Sequence, residues 1–378
     1  MSELPLRLLV VCPSWVGDAV MATPALRLVR SSLPGCFIGG LVRPGIDQIL
    51  AGTDFFDEVH VERAAGMMGP KFVAAKVRPR RYDTALLFTN SLSTALIVRI
   101  AGIPRRFGYR KDARGPLLTH KLDLPRRKDG SREAVPAVGA YLNIARFMLR
   151  TLGSDRVPPD PADPFSVPPG VKMELAVTEA EAAAGEDVLR RSGLSVEAPL
   201  AVLVPGGNNP AKRWPEDRFA KLIEHLHREH GLTSLISGAP GESDIIERIR
   251  SATSSPTASL AELGATLGAL KAILASGRCR IMVANDTGPR HIAAAFGVPV
   301  VSLFGPTDAK WTTIPTGPGP GGPGGEVVIE ADPTLPAGEL SNDHPERCRI
   351  ERIEVERVLS AADEVLSRGV FTRMQRQP

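Results

Sequence analysis

The stretch that decides the fold runs from Ile281 to Phe304. It reads IMVANDTGPRH over 281–291 and ends in GVPVVSLF over 297–304. Each apolar run predicts a buried β-strand, and the residues between them predict a helix with Pro289 in its first turn and Gly297 as a left-handed stop. A strand, a helix and a second strand in this order predict two parallel strands joined by a right-handed crossover.

The polar turn Asn285–Gly288 between the first strand and the helix is a candidate ligand site. In open parallel sheets, ligands bind beyond the carboxyl ends of the strands, and the turn occupies that position. The backbone N–H groups of Thr287 and Gly288 suit an anion at a helix start, whereas Asp286 would repel phosphate and suits a sugar hydroxyl. The alternative is that Asp286 or Thr287 only caps the helix. The turn therefore favours a phosphorylated sugar or a simple cap, and both remain open.

Length and composition set the class of protein. A chain of 378 residues with 43% hydrophobic content predicts a soluble globular protein of two domains. No apolar run approaches the roughly 18 residues of a membrane helix, and the N-terminus lacks a signal-peptide pattern, so we expect a cytoplasmic location. The four cysteines form no CxxC pair and are expected to be reduced core thiols rather than disulfides or zinc ligands; they are Cys12, Cys36, Cys279 and Cys348.

Positive charge is concentrated between Arg105 and Arg132. This basic segment holds ten Lys or Arg residues against three Asp, although the whole chain has a net charge of only +4. Such a segment favours an anionic partner, and the alternative is a solvated loop. Nucleic acid is not the expected partner, because only Phe107 and Tyr109 offer stacking surfaces there.

The first half of the chain alternates strands and helices. Strands are predicted at 8–12, 37–42, 58–61 and 84–88, and helices at 19–32, 93–100 and 141–152. This alternation predicts a doubly wound first domain. Asp18 lies at a helix start beyond the first strand, where it is either a helix cap or a carboxylate at the edge of the sheet. The proline-dense connector 157–169 predicts a domain boundary.

The second half opens with a predicted strand, Leu200–Val204, and a glycine-rich turn that reads PGGNNPAKRWP over 205–215. The turn resembles a P-loop only superficially, since Ala211 and Arg213 replace the residues that the motif requires. It still suits a diphosphate through Lys212, although Lys212 is equally explained as a solvated cation on a flexible loop.

Other features of the second half are less specific. Trp214 favours packing over ligand binding. Glu242 follows the predicted strand 233–236 and is either a ribose contact or an ordinary exposed first-turn residue. The Pro/Gly-rich segment 315–325 predicts a surface loop, and 351–367 predicts a final helix.

Several motifs of the chain occur together in one order. They are the loop 14–18, Tyr82-Asp83, Asn90-Ser91, Gly102-Ile103-Pro104, the turn 205–215, and Asn285–Gly288 with His291. Over about 8–308, these motifs resemble those of the ADP-heptose:lipopolysaccharide heptosyltransferases of glycosyltransferase family nine, and most closely its heptosyltransferase II group. One departure is the C-terminal segment DHPERC over 343–348, which lacks the upstream cysteines often found in that group. The departure leaves the acceptor open.

The resemblance implies an α/β protein with a GT-B fold, in which two Rossmann-like doubly wound domains face each other across a cleft. Residues 1–165 would bind the acceptor and 170–350 the nucleotide sugar. Residues 351–378 would form a C-terminal helix and tail that packs back towards the N-terminal domain. The implied reaction is an inverting transfer of heptose from ADP-L-glycero-D-manno-heptose to an inner-core heptose of lipopolysaccharide.

The resemblance also implies roles for individual residues. Asp18 corresponds to the catalytic base and Lys212 to the residue on the diphosphate. The substrate-binding set implied by position and charge is Asn90, Arg105, Arg110, Asn208, Glu242, Asp286, Thr287, Gly288 and His291. Of these residues, Asp286 would contact the donor sugar and Glu242 would contact the ribose. The basic segment would contact the anionic lipid A-core acceptor. The resemblance implies no metal or other cofactor. It does imply a peripheral contact with the cytoplasmic face of the inner membrane.

Two alternatives to this function remain at the level of the sequence. One is a transferase of the same fold that uses another acceptor or nucleotide sugar. The other is a non-catalytic protein that binds a sugar nucleotide or an anionic glycan.

Overall fold

The computed structural model describes residues 4–195, 197–315, 325–336 and 338–374. Its contacts divide the chain into two units, Met1–Ala176 and Val177–Pro378. The division falls a few residues after the proline-dense connector, so the connector belongs to the first unit. The connector packs there on a helix, because a Cβ atom at Gly139 would lie 1.8 Å from the carbonyl oxygen of Phe165.

The first unit is a parallel six-stranded sheet with helices between its strands. The strands are β1 Arg7–Val11, β2 Phe37–Val42, β3 Glu58–Val61, β4 Thr84–Leu87, β5 Arg105–Tyr109 and β6 His120–Leu122. The helices are α1 Val16–Met21, α2 Thr23–Ser32, α3 Ile46–Leu50, α4 Gly69–Val77, α5 Leu92–Ile100 and α6 Ala137–Thr151. The strand order β3-β2-β1-β4-β5-β6 confirms a doubly wound domain.

One helix prediction in this unit was wrong in its extent. The predicted helix 19–32 is two helices, α1 and α2, because Pro24 has no N–H to donate to the carbonyl of Val20. The hydroxyl of Thr23 donates to that carbonyl instead, at 2.7 Å. The chain therefore begins a new helix at Thr23.

The second unit repeats the architecture of the first. Its strands are β7 Leu200–Val204, β8 Thr233–Ile236, β9 Thr257–Ser259, β10 Cys279–Asn285, β11 Val300–Phe304 and β12 Glu326–Glu330. Its helices are α7 Glu179–Arg191, α8 Glu216–His230, α9 Ser243–Ser251, α10 Leu267–Ala275, α11 Pro289–Ala295 and α12 Val355–Met374. The strand order is β12-β11-β10-β7-β8-β9, and all of these pairs are parallel.

The deciding stretch folds as its pattern predicts. Strand β10 pairs in parallel with β11 from Met282 opposite Val300, and helix α11 connects the two strands. Gly297 follows the helix with a φ of 72°, a conformation that favours glycine. Asn285, the last residue of β10, therefore brings the turn 285–288 to the carboxyl end of the central strands.

The C-terminal helix α12 packs on the second unit. Its residues Val358 and Ala362 are fully buried in the core cluster that contains Ile281 of β10 and Leu303 of β11. The prediction that the helix packs back towards the first domain stays a prediction. Residues 316–324 of the predicted Pro/Gly-rich loop lie outside the described residues.

All four cysteines are buried free thiols, as expected. Burial raises the pKa of Cys279 to about 12, so this thiol is inert at neutral pH. In the described part of the chain, no helix is both long and apolar enough to cross a membrane.

Candidate functional site

The turn 285–288 does not serve as a side-chain cap for helix α11. The N-cap residue is Gly288, and no side-chain cap hydrogen bond is present. The hydroxyl of Thr287 donates to the carbonyl of Asn285 at 3.1 Å instead. The alternative that Asp286 or Thr287 only caps this helix is therefore wrong.

Asn285 joins this turn to the glycine-rich turn after β7. Its side chain is fully buried, its Nδ2 donates to the carbonyl of Pro205 at 2.7 Å, and its Oδ1 accepts from the backbone N–H of Trp214 at 3.3 Å. These bonds hold both ends of the glycine-rich turn against β10. Asn285 was predicted as part of a ligand-binding turn, and its structural role is the buried polar contact that an amide at the end of an apolar strand indicates.

Asp286 is held in a buried ionic network. Its side chain is 8% exposed, and its Oδ2 lies 2.9 Å from the Nζ of Lys212. Its Oδ1 lies 3.4 Å from the guanidinium of Arg290, a fully buried side chain that also pairs with Glu326. Both carboxylate oxygens are thus engaged by cations. Asp286 positions Lys212, and its contact with a donor sugar stays a prediction.

Lys212 is ordered by this pair. It lies in the short 3-10 helix Pro210–Lys212, where the side chain of Asn209 accepts from the N–H of Ala211 at 3.1 Å. The Lys212 side chain is 26% exposed and uses one of its three ammonium donors on Asp286. The alternative of a solvated cation on a flexible loop is wrong, and the ammonium keeps donors for an anionic ligand.

Arg213 and Trp214 stabilise the turn from within. Arg213 donates from Nε and Nη2 to the carbonyl of Gly207, at 2.9 and 2.7 Å. Trp214 is 1% exposed, and its Nε1 donates to the carbonyl of Ile353 at 2.8 Å. Trp214 is therefore packed in the core of the unit, as expected.

Glu242 supports the same turn. Its Oε1 accepts from the N–H of Gly207 at 2.7 Å, and its Oε2 accepts from the N–H of Ala239 at 2.8 Å. The contact needs a glycine at 206, because a Cβ there would lie 2.2 Å from Oε2 of Glu242. Glu242 is therefore not an ordinary exposed first-turn residue, and its ribose contact stays a prediction. Asn208 is exposed at the tip of the turn.

His291 is a buried, neutral side chain. It is 2% exposed, and its Nδ1 has no hydrogen-bond partner among the described residues. Burial holds the pKa of His291 well below its usual value, and the positive charge of Arg290 adds a smaller effect in the same direction. The imidazole therefore contributes a dipole but no positive charge at neutral pH.

A pocket of about 360 Å³ borders the glycine-rich turn. It shares Pro205, Arg213, Trp214 and Pro215 with the turn, and its other lining residues are Glu216, Asp217 and Ile245. The volume lies in the range of pockets that hold small ligands.

Asp18, in the first unit, is not a helix cap. The N-cap of α1 is Trp15, without a side-chain bond, and Asp18 lies in the first turn of the helix. Its Oδ1 accepts from the hydroxyl of Tyr141 at 3.2 Å. Burial and the charge of Asp18 keep the pKa of Tyr141 well above its usual value, so Tyr141 remains a donor. The helix-cap alternative for Asp18 is wrong, and the carboxylate is oriented by a partner that the sequence analysis missed.

The basic segment is only in part a solvated loop, since residues 126–132 are mostly exposed and lie outside its strands. It contains β5 and β6, and several of its arginines are used within the fold. Arg105 pairs with Asp83 at 2.7 Å, and Arg110 donates to Asp123 at 2.8 Å. These two predicted acceptor contacts therefore already have carboxylate partners.

Arg114 is the most deeply buried cation of the segment. It is fully buried, donates to the side chain of Asn90 at 3.0 Å and to the carbonyl of Tyr109 at 2.9 Å, and burial lowers its pKa to about 10. Asn90, a predicted site residue, is thereby fixed in place. The exposed cations of the segment include Lys121, Lys128 and Arg132.

Two doubly wound parallel domains, with a glycine-rich turn and a helix start at the carboxyl edge of the second sheet, define a GT-B glycosyltransferase. The sequence model of glycosyltransferase family 9 (heptosyltransferase) matches residues 73–320. The chain therefore belongs to this family and is an enzyme.

Known relatives agree with this assignment. The chain is 29% identical over 316 residues to lipopolysaccharide heptosyltransferase 2 of Salmonella typhimurium, covering 81% of this chain and 85% of the relative. It resembles the structure of the E. coli ADP-heptose LPS heptosyltransferase II with a TM-score of 0.73 and 26% identity, over 95% of this chain and 98% of the other. A family 9 structure from Veillonella parvula, 20% identical, shares the fold with a TM-score of 0.75 over 97% of this chain and 99% of the other. The predicted fold class is confirmed.

Proposed function

We propose that this enzyme transfers heptose from ADP-L-glycero-D-manno-heptose to an inner-core heptose of lipopolysaccharide, with inversion at the anomeric carbon. The observation that carries the proposal is the Lys212–Asp286 pair beside the glycine-rich turn of the second unit. The names of the relatives support the choice of substrates, since the relatives are heptosyltransferases of lipopolysaccharide and ADP-heptose.

The donor half of the reaction rests on charge. When the bond from the anomeric carbon to the diphosphate oxygen breaks, the ADP leaving group takes the electron pair and gains negative charge. Lys212 is a cation held in place by Asp286, and the N–H groups of Thr287 and Gly288 lie at the start of α11. Preorganised donors of this kind stabilise a developing anion. The neighbouring pocket of about 360 Å³ supports binding of the nucleoside half of the donor.

The acceptor half needs a base. A sugar hydroxyl is a weak nucleophile, and a carboxylate that accepts its proton while the new bond forms avoids a free alkoxide. Asp18 suits this role because Tyr141 donates to its Oδ1 and orients the group. Attack from the face opposite to ADP, with one base and no covalent enzyme intermediate, inverts the anomeric configuration.

We infer that the transfer needs no metal or other cofactor. A cation such as Lys212 can neutralise the leaving diphosphate, which is the task of a metal in other transferases. The sequence has no D-x-D pair, and in the nearest motif, Glu242-Ser243-Asp244, the Glu242 oxygens accept from two backbone N–H groups.

We also propose that the first unit touches the anionic surface of the inner membrane from the cytoplasmic side, where its acceptor is anchored. An exposed apolar surface lies around the start of helix α4, where Met67 and Met68 just before the helix are 97% and 50% exposed and Phe72 within it is 65% exposed. Lys71 is exposed within the same turn. Apolar side chains beside a cation suit an anionic lipid surface.

The test of the transfer is a product assay with ADP-heptose and a panel of truncated lipopolysaccharide cores. We expect product only with cores that end in an inner-core heptose. Thermal shifts with ADP, UDP and GDP then report the donor class, because a bound nucleotide stabilises the folded protein. A larger shift with UDP or GDP than with ADP would reject the proposed donor.

A further inference from the structure

Two histidines and an aspartate converge on the second unit, outside the residues discussed above. The Nε2 atoms of His225 and His230, both on α8, each lie 2.7 Å from Oδ1 of Asp363 on α12. One ligand atom from each residue lies within 4.8 Å of the other two. This His-His-Asp cluster therefore presents two nitrogens and one oxygen to a single point.

The cluster lies far from the proposed transfer chemistry. Helix α8 begins at Glu216, directly after the glycine-rich turn, and ends at His230. At a rise of about 1.5 Å per residue, the two ends of this helix are about 20 Å apart. By the same rise, His225 lies about 14 Å and His230 about 21 Å along the helix from Glu216. The cluster is therefore a site separate from the glycine-rich turn.

The donor set matches late first-row divalent metals. Imidazole nitrogens with a carboxylate are ligands of Zn²⁺, whereas Mg²⁺ and Ca²⁺ prefer oxygen ligands alone.

Access and geometry permit a bound ion. The side chains of His225, His230 and Asp363 are 13%, 26% and 46% exposed, so solvent reaches the cluster. Tetrahedral ligands at about 2.0–2.2 Å from Zn²⁺ lie about 3.3–3.6 Å apart, so each nitrogen would have to move roughly 0.6–0.9 Å away from the Asp363 oxygen, to which it is now hydrogen-bonded at 2.7 Å. Each imidazole proton would move from Nε2 to Nδ1, and water would complete the tetrahedron.

We propose that His225, His230 and Asp363 form a binding site for a zinc-like divalent cation that fastens the C-terminal helix α12 to the end of α8. The adjacent residue Ala362 is fully buried in the core of the unit, so the ion would reinforce an existing contact. Because the ion would bind the folded arrangement of two helices, it would stabilise the fold.

The proposal is tested with Co²⁺ and Zn²⁺ on the metal-free full chain. Co²⁺ is expected to give visible absorption bands of a tetrahedral N/O site, and Zn²⁺ is expected to displace it and to raise the melting temperature. His230→Gln and Asp363→Asn should each weaken metal binding by at least about tenfold. Mutation of a residue that only hydrogen-bonds to a metal ligand already has an effect of this size. Circular dichroism verifies that each variant is folded.

His344→Gln is the matched control. His344 pairs with Glu339 at 2.7 Å, so this variant also removes a histidine–carboxylate contact, but one outside the cluster. Unchanged metal affinity in this control, together with weaker binding in the cluster variants, supports the site. Three results would overturn the site. They are an equal metal affinity of His230→Gln and the unaltered chain, a sulfur-to-cobalt charge-transfer band that assigns the metal to a cysteine, and the absence of metal binding.

Discussion

The Nζ of Lys212 lies 2.9 Å from Oδ2 of Asp286, across 74 residues of sequence. The pair joins the glycine-rich turn after β7 to the turn after β10. Arg290 lies 3.4 Å from the other oxygen of Asp286, so the carboxylate contacts two cations. This relationship explains how a long, flexible lysine side chain holds a fixed position.

Replacing Lys212 by Gln should lower turnover by about 100-fold or more, because a preorganised donor to the leaving group is lost. The free energy of unfolding should fall as well, because the 8% exposed Asp286 loses one of its two cations and keeps only Arg290. Initial rates with saturating ADP-heptose measure the effect. Lys221→Gln is the control, because Lys221 forms only an exposed pair with Asp217. Normal turnover in the Lys212 variant would remove the residue from the mechanism.

Replacing Asp18 by Asn should lower turnover by about 100-fold to 10,000-fold, the range for loss of a general base. The amide keeps the shape of the carboxylate, so the thermal shift with ADP should not change. Asp47→Asn is the control, because Asp47 is also an acidic first-turn residue of a short helix in this unit. If the Asp18 variant retains its rate, another group accepts the proton.

Replacing Gly206 by Ala should displace the carboxylate of Glu242 and weaken ADP binding. The added Cβ would lie 2.2 Å from Oε2 of Glu242, and overpacking of this kind costs about 1–3 kcal/mol of stability. Gly241→Ala is the control, since nothing lies within 4 Å of a Cβ there. Chemical denaturation and thermal shifts with ADP measure both effects, and equal behaviour of the two variants would contradict the role of this contact.

His291 should make the protein less stable in acid. Because burial lowers the pKa of His291 in the folded state, the unfolded chain binds a proton at this position more readily. The free energy of unfolding is therefore unaffected by His291 above about pH 6.5 and falls below it, by up to about 1.4 kcal/mol per pH unit. Urea unfolding of His291→Gln between pH 7.5 and 5 should show a shallower slope. His344→Gln, at a side chain that is 32% exposed, is the control.

Replacing Phe72 by Ser should reduce sedimentation of the protein with anionic vesicles. Burial of a phenylalanine in the lipid interface contributes up to about 3 kcal/mol, so a loss of about tenfold or more in binding is expected. Val328→Ser, at an exposed apolar side chain of the second unit, is the control. Equal vesicle binding by both variants would place the membrane contact elsewhere.

Local features of the sequence predicted the frame of the site. The apolar runs of β7, β10 and β11 predicted buried strands, and Pro289 and Gly297 marked the ends of α11. These features act through backbone dihedral angles and burial, which neighbouring residues determine. The family motifs then predicted Asp18 and Lys212 as reactive residues.

Strands with mixed composition were harder to predict. Strand β5 begins with Arg105 and Arg106, whose charges suggested a solvated loop. Its buried half, Phe107–Tyr109, is too short for a periodic pattern to stand out. Its arginines are accommodated because Asp83 and backbone carbonyls accept their hydrogen bonds.

The sequence by itself determined two parallel α/β domains and the turns in which the reactive groups lie. Only the tertiary structure decided which charges are already paired: Asp286 with Lys212 and Arg290, and Arg114 with Asn90. These partners are brought together by strand order and crossover connections. Pairing depends on distance in space, and a linear pattern of residue types does not contain that distance.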